Sequence, residues 1–126
     1  MQPILLEKIF GFVFLLVGVS HLLHPSPWSD FFTWLRAKTY GAFIVVLYTM
    51  PIAVLIVLFH NTWAFSPAVV VTIAGWMMLL KCVLYALHPA LFNKVADKGA
   101  SPKGIARAGS FIAVASIILL AHLYLF

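Results

Sequence analysis

A lysine inside an apolar run is the residue of this sequence with the most chemistry to explain. Lys81 lies within residues 68–87, about 10 Å from the nearer end of a helix drawn over that run at 1.5 Å per residue. A charge at such depth in a bilayer is costly and by default marks a functional site with a partner. No acidic residue falls at its depth. Glu7 lies toward the opposite face, roughly 15 Å away on the same rise. Two readings follow. The ammonium snorkels along its stem to the headgroups near Tyr85 and His88, or it holds an anionic headgroup or an acidic partner helix. Arg107, Trp28 and Trp34 are further candidates for lipid or partner contact.

The five histidines divide by depth. His21, His24 and His88 fall toward one membrane face, His60 and His122 toward the other. Paired histidines across a bundle can hold a haem iron or a metal, which makes His24 and His88 the pair for a haem b reading. The other reading is that each His-Pro ends a helix at the polar interface. His60, His122 and Glu7 are candidates for a small metal or proton site on depth alone. Cys82 adjoins Lys81 in sequence, but neighbouring helix positions point about 100° apart, so it reads as a small buried hydrophobe rather than an activated thiolate. Three carboxylates in the whole chain, none paired in sequence, leave no acid–base pair. No phosphate loop or nucleophile elbow is present. The expectation is therefore a protein that is not an enzyme and carries no cofactor, with haem b as the alternative.

These residues sit in 126 residues of which 64% are hydrophobic and 9% charged, with a mean hydropathy of +1.10. A soluble domain of this size buries only about two-thirds of its surface and cannot hide so much apolar area. That excludes a soluble enzyme, a nucleic-acid-binding domain and a disordered tail. Helical spans of about 20 residues suit a 30 Å hydrocarbon core, and four fit: 4–23, 41–59, 68–87 and 105–126. The alternating segments of a barrel are absent. Pro25 and Pro89 punctuate the ends of the first and third spans. Ser66-Pro67 and Ser101-Pro102 read as capping serines with proline at the first helical position. The N-terminus lacks a basic leader and reads as the start of the first span, not a removable signal peptide.

Arg36, Lys38, Lys94, Lys98, Lys103 and Arg107 follow the first and third spans, whereas the loop at 60–66 carries no formal charge. The positive-inside rule places both basic loops in the cytoplasm and both termini outside, in a bacterial-type inner membrane. Ser26-Pro27 can open a short helix to about Lys38. Trp28, Phe31, Phe32 and Leu35 would share one face of it, and Trp34 would lie at the edge, in the headgroup region.

A shift of 64 residues lays Gly11–Pro25 over Gly75–Pro89 with seven of fifteen positions identical, His-Pro included. The expected fold is an all-α membrane protein, one domain over 1–126. Its four spans form two parallel-repeat helical hairpins, about 4–60 and 68–126, with Gly11, Gly18, Ala74 and Gly75 allowing close helix approach.

Gly11, Gly18 and His24-Pro25, followed by the aromatic amphipathic stretch, resemble the first span of DoxX-like small four-helix membrane proteins. The segment Gly75–Pro89, its basic loop and Arg107-Ala108-Gly109 are similar to small YjeT-like inner-membrane proteins. The DoxX-like resemblance implies an accessory membrane subunit linked to redox or respiratory complexes, with no catalytic residues to carry over. The functional expectation is a non-catalytic accessory or scaffolding subunit, a homo-oligomer or part of a larger membrane complex, with the lipid bilayer as partner and no nucleic acid. The alternatives are an oligomeric carrier or channel for a small solute, and a haem- or quinone-binding redox subunit.

Overall fold

The computed structural model describes residues 2–93 and 101–126; Lys94, Asp97 and Lys98 of the second basic loop lie outside the described residues. Among the described residues the long helices run in the order α1 (Pro3–Leu23), α2 (Pro25–Ala37), α3 (Gly41–Phe59), α4 (Val69–Leu87) and α5 (Pro102–Leu125). All but α2 are long and apolar enough to cross a membrane. The chain is an all-α membrane protein with four spans. Its outward surface carries large apolar side chains such as Leu16, Leu47, Leu58 and Leu87, as a lipid-facing surface does.

Proline works at both kinds of helix end. The His24 N–H closes α1 on the Ser20 carbonyl at 2.9 Å, and the His88 N–H closes α4 on the Leu84 carbonyl at 2.8 Å. The two corners have similar backbones, φ −130°, ψ 57° and φ −142°, ψ 78°. Pro25 then stands at the first position of α2, where a missing N–H costs nothing. The helix therefore starts two residues before the expected Ser26-Pro27 opening, and no side chain caps it. Ser101 does cap α5, its Oγ accepting from the Gly104 N–H at 3.2 Å, so that helix begins three residues ahead of the expected 105. Ser66 does not cap α4: the N-cap is Ala68, and Ser66 supplies its carbonyl to the Val69 N–H at 3.0 Å.

The closest pairs are α1 with α5 and α3 with α4, while α1 and α3 touch little. The tight packing therefore runs between the two sequence units, not inside each hairpin of neighbouring spans, and α1 and α4 are not a close pair. Small residues explain this choice. Gly11 and Gly18, two turns apart, face α5. A Cβ on Gly18 would lie 2.7 Å from the Ala113 nitrogen and 2.9 Å from the Gly109 carbonyl oxygen, so only glycine admits that approach. Gly11 is covered by Leu120, and Gly75 on α4 is covered by Ile56 of α3. Gly11 and Gly75, and likewise Ile56 and Leu120, are related by the 64-residue register, so the two pairs are built alike. Cys82, at the place equivalent to Gly18, is fully buried and packs with Val45 and Tyr85, as a small hydrophobe would. Met77 on α4 is exposed.

α2 does more than lie in the headgroup region. Leu35 is wholly buried and Phe32 partly so, and the helix rests mainly on α5 and less on α3. It closes the basic-loop end of the bundle. At the termini end, Ile56, Val71 and Leu119 form a second core with Phe10 and Leu123.

Candidate functional site

Between the two helix pairs, from mid-span to the basic-loop end, lies a cavity of about 480 Å³. Its walls come from α1, α3 and α4, and α2 and Phe92 close it below. Four wall pairs are related by the 64-residue register: Phe14 with Met78, Val17 with Lys81, His21 with Tyr85, and Trp28 with Phe92. The aromatic contacts repeat too. His21 stacks on Trp28 at 4.2 Å, and Tyr85 meets Phe92 edge-on at 5.6 Å. α1 and α4 thus face each other across the cavity, and the pair that departs most in character is Val17 and Lys81.

Lys81 lines this cavity together with Tyr85, whereas His88 is exposed at the end of α4. Among the described residues the ammonium has no hydrogen-bond or ion-pair partner. Glu7 is engaged elsewhere and Asp30 is exposed on α2. The Tyr85 side chain is 6% exposed, and among the described residues its hydroxyl is unbonded as well. The Nδ1–H of His21 donates to the Val17 carbonyl at 2.8 Å, which fixes the ring and leaves Nε2 for another group. Trp28 is held by its indole N–H on Ser20 Oγ at 2.9 Å. Tyr48 and Thr49 also line it, the Thr49 hydroxyl donating to the Val45 carbonyl at 2.6 Å; the rest of the wall is apolar, with Val13, Phe14, Ile52 and Met78 nearest the midplane. A few convergent polar groups in an otherwise apolar hollow of roughly 300–1,000 Å³ is the usual form of a small-molecule site.

A second polar cluster occupies the termini end. Glu7 Oε1 lies 2.7 Å from His60 Nε2, and His60 Nδ1 lies 2.8 Å from Thr72 Oγ1. The Thr62 N–H donates to Thr72 Oγ1 at 3.1 Å. With a neutral imidazole the directions are set: Nε2–H donates to the carboxylate, and Nδ1 accepts from the Thr72 hydroxyl. All three side chains are buried, so the chain of bonds ties α1 to the α3–α4 loop and to α4. The order of Thr, His and Glu matches that of a nucleophilic triad, but Thr72 is fully buried and no substrate can reach its hydroxyl.

The sequence placed Glu7 and His60 at one depth and missed Thr72. Its signal was a polar residue in the first turn of an apolar helix. His122, grouped with them on depth, is half-buried on the last turn of α5 and takes no part. Lys8, beside Glu7, sits 5.1 Å over the Tyr124 ring. Among the described residues no three His, Cys, Asp or Glu side chains gather as a metal site would require. His24 and His88 are both exposed at helix ends, outside the cavity. Arg107 is exposed on α5, and Trp34 is half-exposed with the Lys38 ammonium 4.9 Å over its ring. Neither lines the cavity. Of the lipid- or partner-binding candidates, the structure brings together Lys81, Tyr85 and Trp28.

No protein-family model, curated protein or solved structure matches the chain.

Proposed function

We propose that this protein is a non-catalytic multi-pass protein of a bacterial-type inner membrane that binds one amphipathic anion between its two helix pairs. The observation that carries the reading is Lys81, a charged side chain in an apolar, aromatic-walled cavity with no counter-ion among the described residues. A lysine at the centre of a spanning helix costs about 2.5–3.5 kcal/mol on insertion scales, and less at the depth of Lys81. An anion seated against it offsets that cost with a charge-assisted bond, and the apolar wall takes the rest of the ligand. The Tyr85 hydroxyl supplies a second donor. The basic residues of the loops at the Lys81 end support an orientation with that end toward the cytoplasm and both termini outside.

Stearate and stearyl alcohol share a chain and differ in charge. With protein in a mild detergent, a ligand that binds the folded state raises its stability by RT ln(1 + [L]/Kd). Stearate is expected to raise the melting temperature in a saturable way, and the alcohol to have little effect. Equal shifts from both would remove the role given to Lys81.

A further inference from the structure

We infer that the ligand is a single-chain carboxylate amphiphile, taken sideways from the lipid leaflet at the basic-loop end through a portal between α2 and α3. The inference rests on the anion-binding reading of the cavity. Outside the cavity lies a second hollow of about 400 Å³ walled by Pro27, Trp28, Phe31 and Tyr48. Trp28 and Tyr48 also belong to the cavity wall, so these two side chains are all that the hollows share. The outer hollow opens toward the lipid: Tyr48 is 49% and Phe31 38% exposed. α2 is seated more heavily on α5 than on α3, which leaves this gap on its α3 side.

The polarity gradient inside the cavity gives the direction. At 1.5 Å per residue, Tyr85 and His21 lie about 3 Å, Lys81 about 9 Å and Tyr48 about 10 Å in from the basic-loop ends of their helices. Val13, Phe14, Met78 and Ile52 lie about 14–17 Å in. Thr49 is the deepest polar wall residue, about 12 Å in, with its hydroxyl already given to the Val45 carbonyl; the polar groups thus come first and the apolar wall continues to the midplane. A lipid of that leaflet is oriented the same way, head toward the basic loops and tail toward the midplane. It can slide in without turning over. A cavity of about 480 Å³ has room for one long acyl chain, not for two with a phosphodiester headgroup.

A portal controls rates, whereas a binding group controls affinity. The test uses protein in phosphatidylcholine vesicles with Cys82→Ala, which removes the native thiol, and with Trp34, Trp63 and Trp76 replaced by Phe, so that Trp28 alone fluoresces. A brominated stearate serves as ligand and quencher. Phe31→Cys or Pro27→Cys carries a bulky non-fluorescent maleimide in the outer hollow. The labelled protein is expected to bind and release the stearate about tenfold more slowly in both directions, at an unchanged Kd. Unchanged rates in both labelled variants overturn the portal while the cavity reading stands. No saturable quenching before labelling overturns the cavity reading and this inference together. In brominated phosphatidylcholine vesicles, unbrominated stearate is expected to leave Trp28 quenching unaltered. Relief of quenching there would make the occupant a two-chain lipid and overturn the inference.

Discussion

Glu7 and His60 at one end of the bundle and Lys81 toward the other are ionisable residues in an apolar chain, and the protein treats them differently. At the termini end every donor is matched in turn, from the Thr62 amide through Thr72 and His60 to the Glu7 carboxylate. The groups are buried and the two helix pairs meet there. Toward the basic-loop end, Lys81 and Tyr85 are buried to differing degrees and have no partner among the described residues, and the pairs are held apart by a cavity. A satisfied buried network rigidifies a fold, and a half-satisfied one is a liability unless something else completes it. The difference separates a structural polar cluster from a binding one without reference to residue type.

The largest expected effect comes from breaking the satisfied end. Replacing Glu7 or His60 by Ala leaves its partner buried and unpaired, which costs about 1–3 kcal/mol. The double variant should cost much less than the two singles combined, with a coupling of about 0.5–3 kcal/mol. Denaturation in mixed detergent micelles measures both. Additive losses would mean that the 2.7 Å contact carries no energy of its own.

The helix seams give the next effect. Gly18→Ala places a methyl against the α5 backbone, and Gly11→Ala places one against the movable end of Leu120. Overpacking against a backbone costs about 1–3 kcal/mol. Gly18→Ala should therefore destabilise the protein by more than Gly11→Ala in the same unfolding assay. The reverse order would contradict the α1–α5 crossing point.

The smallest effect falls at the unsatisfied end. Tyr85→Phe removes a hydroxyl that has no partner among the described residues, so the empty protein should lose no stability. Stearate affinity should fall by about 0.5–1.5 kcal/mol, the worth of one ordinary hydrogen bond. A loss of stability with unchanged affinity would move Tyr85 from the binding cluster to the structural one.

Much of this architecture was legible in the sequence. The four spans follow from runs that nothing but a bilayer accommodates, and their expected ends fall within three residues of those observed. Lys81 announced itself because its charge conflicts with its surroundings. Helix pairing was harder to read, because the spans are apolar on every face and hydrophobic periodicity cannot choose neighbours. Gly11 and Gly18 show a close face without naming α5 as its partner. The start of α2 was misplaced because Pro25 was read as a terminator alone, whereas proline ends α1 and suits the first turn of α2. Thr72 escaped notice because a threonine in an apolar helix costs little and so gives little signal. The cavity is a failure of packing between helices far apart in sequence, and no single residue encodes it.

Lys81→Met tests the central claim most directly, since methionine keeps an apolar stem and removes the charge. Stearate affinity and the stability of the empty protein are to be measured on the same preparation, beside Lys81→Arg as the charge-retaining control. The account predicts an affinity loss of about 1.5–3 kcal/mol, roughly ten- to a hundredfold in Kd, with the empty protein as stable as before or more so. Lys81→Arg should keep most of the binding. An unchanged Kd in Lys81→Met would contradict the account and return Lys81 to a side chain that merely reaches for the headgroups.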